Sequence, residues 1–210
     1  MSTLLLGDTA PDFHSETQDG PFHFYEWLDG GWAVLFSHPK DFTPVCSTEV
    51  AEVARLGDEF ARRNVRVATL SAGTADSHRE WATELSEAFN VPIQFPLIVD
   101  DENLTIARLY GMVHPKASDI TTVRSVFIID PDKKVRLTLN YPHTTGRNFA
   151  EILRAVDSLQ IADGHQVVTP VNWTPGGDVL VPYEVTDDEA AERFGEVTSI
   201  LPYIRTVTPR

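Results

Sequence analysis

The stretch "WAVLFSHPKDFTPVCSTEV", residues 32–50, decides the fold. It opens on Trp32–Ser37, an almost wholly apolar run with no polar alternation. An unbroken run of that length marks a strand covered on both faces. A polar loop follows, and then Thr43 and Pro44, residues well suited to the N-cap and first position of a helix. That helix is expected over residues 44–63, where Val50, Val53, Ala54, Phe60 and Ala61 fall near helical spacing. A buried strand feeding a helix through a short loop is the building unit of an α/β sheet. Open sheets of that kind place ligands beyond the C-terminal ends of their strands.

Outward from this unit the alternation continues. Residues 1–31 read as a short polar hairpin with a helical turn around Phe24–Leu28. "VRVATLSA" from Val65 is expected as a strand, and residues 77–89 as a helix opened by a capping box of Ser77 and Glu80. "FPLIVD" is expected as a strand and residues 104–109 as a short helix. "VRSVFIID" and "KVRLTLNY" flank the turn "PDKK" and should pair as a hairpin, with a last helix over 147–159. This order predicts an α/β fold with a mixed central sheet flanked by helices.

After about residue 160 the texture becomes richer in Pro and Gly, with a short helix at "DDEAAERFG". The tail's apolar residues, Val171, Trp173, Val179, Leu180 and Phe194, do not easily make a separate core. The expectation is a main domain over 1–160 and an extension over 161–210 that wraps that domain or a second subunit, as a dimerisation arm.

The 210 residues carry 17 Lys+Arg against 31 Asp+Glu, a formal charge of -14. Such a surface repels phosphates, which argues against nucleic acid and anionic membranes as partners. No apolar run is long enough to span a bilayer. The start "MSTLLLGDTAPDF" lacks the basic flank of a secretory signal, so a cytoplasmic setting is expected.

The chain has one cysteine, Cys46, which excludes an internal disulfide and any Cys-built zinc site. A buried inert residue, a reactive nucleophile and an intermolecular cross-link remain open. Taking Thr43 as N-cap places Cys46 inside the first helical turn, beside unsatisfied backbone N–H groups and the positive end of the helix dipole. Both favour the thiolate, the nucleophilic form. The placement argues for a nucleophile and leaves its substrate unnamed.

The segment "FSHPKDFTPVCSTE", residues 36–49, resembles the active-site segment of the peroxiredoxins, and most of all their one-cysteine branch. The family pattern Pro-x-x-x-Thr-x-x-Cys is met by Pro39, Thr43 and Cys46, and Arg124 in "TTVRSVFIIDP" matches the family's distant arginine. "PHTTGRNFAEILRAVDSLQ" and "TPVNWTPGGDVLVP" extend the similarity into the tail. The resemblance implies a thioredoxin-like fold and a thiol-dependent peroxidase acting on hydrogen peroxide and organic hydroperoxides, with no metal or organic cofactor. Cys46 would become a sulfenic acid. Arg124 would steady the thiolate and orient the peroxide, Thr43 would contact the peroxide through its hydroxyl, and Pro39 would shield the sulfur. His38 resembles the family histidine beside the cysteine, and Glu49 and Arg147 resemble positions that orient Arg124. A homodimer is implied as well.

Without a second cysteine, the sulfenic acid needs an external thiol: glutathione, or a thioredoxin- or glutaredoxin-like protein. Some one-cysteine members also hydrolyse phospholipids through a serine ahead of the buried strand. Here Gly31 stands at that place, so that activity is not carried over. Two alternatives stay beside the peroxidase: a Cys-dependent hydrolase with His38 as base, and a redox sensor without turnover.

Overall fold

The computed structural model describes residues 4–208, so the first three residues of the expected hairpin and the last two of the tail lie outside the described residues. In chain order come β1 (His14–Thr17), β2 (Gly20–His23), α1 (Phe24–Leu28), β3 (Trp32–Ser37), α2 (Pro44–Arg55), α3 (Gly57–Arg62) and β4 (Val65–Ala72). Then follow α4 (Ala75–Phe89), β5 (Leu97–Asp100), α5 (Thr105–Leu109), β6 (Arg124–Ile129), β7 (Val135–Tyr141) and α6 (Phe149–His165). The tail adds β8 (Val179–Leu180), α7 (Asp187–Phe194), β9 (Thr198–Leu201) and β10 (Ile204–Val207).

The main sheet has the order β2-β1-β5-β4-β3-β6-β7. β3 pairs parallel with β4, and β4 parallel with β5. β6 runs antiparallel to β3 and to β7, which makes the sheet mixed. Every residue of β3 is buried, as its unbroken apolar run requires. The hairpin β6–β7 forms around "PDKK", where Lys133 takes a positive φ of 64° to close the turn. The buried Gln18 acts as a surrogate strand: its amide donates to Phe95 O at 3.0 Å and accepts from Leu97 N at 2.8 Å. That tie fastens the N-terminal hairpin to β5.

Three expectations about element bounds and caps are corrected. The helix expected over 44–63 is two, because Leu56 leaves helical dihedrals (φ −88°, ψ 8°) ahead of Gly57, a poor helix former. The cap of α4 is Thr74, whose side chain accepts from Ser77 N at 3.1 Å, and not Ser77. Ser77 instead sends its hydroxyl to Asp41 Oδ2 at 3.2 Å. The last helix starts two residues later than expected and runs to His165.

The chain divides into two compact units between Phe149 and Ala150, so α6 belongs mainly to the second unit although the expected boundary was residue 160. That second unit also corrects the view that the tail cannot easily make a core. Val167, Trp173, Val179, Val181, Ala190 and Val207 are buried together beneath a three-stranded sheet of order β8-β10-β9. Trp173 is the largest of these side chains and donates Nε1–H to Gly177 O at 3.0 Å. Thr186 and Glu189 form a reciprocal capping box at the start of α7. Among the described residues no helix is long and apolar enough to cross a membrane.

Candidate active site

Cys46 lies in the first turn of α2 and is wholly buried, packed with Val50, Trp81, Ala82, Leu85 and Leu97. The loop from β3 brings the helix start to the C-terminal edge of the sheet, next to the start of the antiparallel strand β6. Arg124 is the first residue of β6, and its Nη1 donates to Cys46 Sγ at 3.3 Å. The same Nη1 donates to Glu49 Oε2 at 2.7 Å. Glu49 stands three residues after Cys46, on the same face of α2.

A second guanidinium completes the cluster. Arg147 donates its backbone N–H and Nε to Glu49 Oε1 at 2.8 and 2.9 Å, and Nη2 to Oε2 at 2.6 Å. Its Nη1 reaches the carbonyls of Ser37 and Ser125, joining the ends of β3 and β6. Its Cζ lies 4.6 Å from the centroid of the Phe36 ring, a cation–π contact in a dry site. Burial works against both charges. For Glu49 the hydrogen bonds and charge of Arg147 overcome that effect and hold its carboxyl below the usual range. For Arg147 burial prevails and lowers its pKa. Two guanidiniums around one carboxylate leave one unmatched buried positive charge, which an ionised Cys46 sulfur would cancel. Arg124 is held from its far side by the carbonyl of His143, which accepts from Nε at 3.1 Å and Nη2 at 2.8 Å.

His38 does not join this cluster. Its Nε2 meets Asp41 Oδ1 at 2.8 Å and its Nδ1 meets Thr69 Oγ1 at 2.8 Å. Asp41 also takes His78 Nδ1 at 2.6 Å and the hydroxyls of Ser71 and Ser77. Burial alone would raise the Asp41 pKa, but the hydrogen bonds from His38 and His78 drive it well below the carboxylate range. Burial pushes the His38 pKa down, toward a neutral ring. With Asp41 ionised, both histidines donate to it and the Thr69 hydroxyl donates to His38 Nδ1. The sequence left His38 without a third group to orient it. Asp41 is that group, yet both ring nitrogens are then occupied and neither is available to Cys46 as a base.

Thr43 holds the N-cap position with an extended backbone (φ −120°, ψ 147°), but its side chain makes no cap hydrogen bond. The hydroxyl donates to Lys40 O at 2.8 Å instead. Pro39 is half-buried in the same loop. Phe42, between them, takes a positive φ of 54° and is 49% exposed, a strained and solvent-facing aromatic at the edge of the site.

Sequence reasoning brought Cys46, Arg124, Glu49 and Arg147 to one place, and they meet there. It missed Asp41, a polar residue in the loop after an apolar strand, His78 on α4, and the His143 carbonyl, which no side-chain pattern reveals. Trp81 packs against Cys46 and donates Nε1–H to Ser47 Oγ at 3.3 Å.

A sole thiol at a helix start, beneath a guanidinium and at the strand ends of a thioredoxin-like sheet, defines a thiol peroxidase. Residues 6–138 match the AhpC/TSA family, and residues 158–196 match the C-terminal domain of 1-Cys peroxiredoxin. The chain belongs to the peroxiredoxin family, in its one-cysteine branch. It is 45% identical over 209 residues to the mitochondrial peroxiredoxin PRX1 of Saccharomyces cerevisiae, covering 96% of this chain and 80% of that one. It is 41% identical to the 1-Cys peroxiredoxin of Dictyostelium discoideum (99% and 86% covered) and 44% identical to peroxiredoxin-6 of Rattus norvegicus (95% and 93%). Among solved structures, the yeast mitochondrial 1-Cys peroxiredoxin superimposes with a TM-score of 0.93 at 44% identity, covering 99% of this chain and 100% of that one. A cysteine-to-serine mutant of the peroxiredoxin 6 of Arenicola marina gives 0.92 at 38% identity, with 99% of each chain covered.

Proposed function

We propose that Cys46 is the nucleophile of this thiol peroxidase and that Arg124 is the residue that activates it and orients the peroxide. The observation that carries the reading is the 3.3 Å hydrogen bond from Arg124 Nη1 to Cys46 Sγ, made by a guanidinium that Glu49 also holds. The thiolate attacks the distal oxygen of hydrogen peroxide or an organic hydroperoxide. The S–O bond forms as the O–O bond breaks, and the leaving oxygen takes a proton to become water or an alcohol. Arg124's forked donors match the two peroxide oxygens as charge builds on the leaving one. Thr43 adds its hydroxyl to the peroxide by releasing Lys40 O, and Pro39 limits water at the sulfur. Glu49 and Arg147 act through Arg124, holding its plane, and His38 shapes the loop from beneath.

Turnover requires two reducing equivalents from outside the chain. One thiol displaces water from the sulfenic acid to give a mixed disulfide, and a second releases Cys46. The yeast relative's structure is described for a thiol resolving mechanism via glutathione and thioredoxin systems, and the same reductants are proposed here. The buried sulfur must be uncovered for the mixed disulfide to form, so the first turn of α2 opens during the cycle. The cytoplasm supplies the reducing thiol this chemistry needs, as does the mitochondrial setting of the yeast relative. Fractionation of the source cells separates the two.

The second unit leaves Val171, Tyr183, Ile200 and Tyr203 at least 64% exposed, and the proposed role for it is a homodimer arm that covers them. A chain ending at residue 165 should then elute as a monomer, and a persistent dimer would refute the arm.

The test of the peroxidase assignment is peroxide consumption with dithiothreitol, using Cys46→Ser as control. Consumption unchanged in the serine variant would overturn the role of Cys46. Ester cleavage without peroxide loss would favour the hydrolase, and a single stoichiometric oxidation would favour the sensor.

A further inference from the structure

Well away from Cys46, the N-terminal hairpin gathers side chains that the peroxidase chemistry does not use. His14 and His23 are directly opposed across β1 and β2, and their rings stack with centroids 3.9 Å apart. Asp12 places Oδ2 2.6 Å from His23 Nε2. Its other oxygen accepts the Tyr25 backbone N–H at 3.0 Å, which fixes the carboxylate in place. Glu26, on α1, puts Oε1 3.1 Å from His23 Nδ1.

One ligand atom from each of Asp12, His14 and His23 lies within 4.8 Å of the others. Two imidazoles and a carboxylate are a donor set that borderline divalent cations take. Ligands about 2.0–2.2 Å from zinc stand roughly 3.3–3.6 Å apart in a tetrahedron, so the 2.6 Å contact between Asp12 and His23 opens by about 1 Å to admit the ion. The two histidines sit on paired strands, so the backbone holds them in register, and the Tyr25 N–H orients the carboxylate as an outer partner does in metal sites. β1 is separated from β3 by β5 and β4, and Asp12 and His14 are exposed, so an ion reaches them without disturbing the thiol.

We propose that Asp12, His14 and His23 form a binding site for zinc or a chemically similar divalent cation, with water as the fourth ligand. The ion would clasp β1 to β2 and stiffen the hairpin that Gln18 fastens to the sheet.

The test uses tag-free, chelator-stripped full-length protein carrying Cys46→Ser, so that the thiol cannot compete for metal. Calorimetric titration with zinc should give about one ion per chain, and saturation should raise the thermal midpoint by about 5 °C. His14→Ala and His23→Ala should each weaken the affinity by about tenfold or more. In the chain that keeps Cys46, His14→Ala should leave peroxide turnover unchanged. His14 is exposed and the variant least able to disturb folding, so its titration decides the matter. Zinc affinity unaltered in His14→Ala, or no binding up to about a hundred micromolar, would overturn the site.

Discussion

Glu49 and Arg147 are joined by three hydrogen bonds, from the Arg147 backbone N–H, Nε and Nη2, although 98 residues separate them in the chain. Both are buried, and the carboxylate oxygen that takes Nη2 also takes Nη1 of Arg124. The position of the guanidinium over Cys46 is therefore set by a carboxylate that never touches the sulfur.

Glu49→Gln keeps the shape of the side chain and removes its charge. One charge-assisted hydrogen bond is worth about 1.5–3 kcal/mol, so kcat/KM for hydrogen peroxide should fall roughly ten- to a hundredfold. Glu49→Ala should also destabilise the fold by about 3–5 kcal/mol, because it strands two buried guanidiniums. Stopped-flow rates and denaturant unfolding separate the two effects. A Gln variant with the parent's rate would show that Arg124 needs no such anchor.

Arg124→Lys keeps a positive charge but loses the forked donors that reach Sγ, Glu49 and the His143 carbonyl together. Its peroxide rate should drop by about a hundredfold or more, close to the loss in Arg124→Ala. Substantial rescue by lysine would mean that charge alone suffices.

Acid should destabilise the first unit in two stages. Burial lowers the His38 pKa in the folded state, so the unfolded chain takes up that proton first and stability declines as pH falls below about 6.5. Asp41 and Glu49 are depressed carboxyls, so their contribution is complete above the ordinary carboxylate range and is lost as pH falls through it, below about 4. Thermal midpoints from pH 8 to pH 3 should fall only in the acid direction. His38→Asn should remove the upper stage and keep the lower one.

Trp81 is 1% exposed and shares a core with Cys46. Trp81→Ala should cost about 3–5 kcal/mol by urea unfolding. Trp81→Phe should cost less while still losing the bond to Ser47. A near-neutral alanine variant would show that the wall behind the thiol collapses without penalty.

What the sequence determined by itself is local and periodic. The apolar run Trp32–Phe36 specified β3, Thr43 and Pro44 marked the start of α2, and their positions put the lone cysteine in that first turn. Those signals span one element and its cap, which is the range over which backbone sterics, capping and hydrophobic period act. The family resemblance pointed to Arg124, Glu49 and Arg147. Only tertiary structure set their distances, because the register of β6 against β3 carries Arg124 across 78 residues to the sulfur. Tertiary structure alone also turned the Thr43 hydroxyl to Lys40, tied His38 to Asp41 and His78, and assembled a core within the second unit. The physical reason is common to all of these. Each depends on which polar groups are shut away from water together, and a buried donor or acceptor takes whichever partner the packed chain brings within reach.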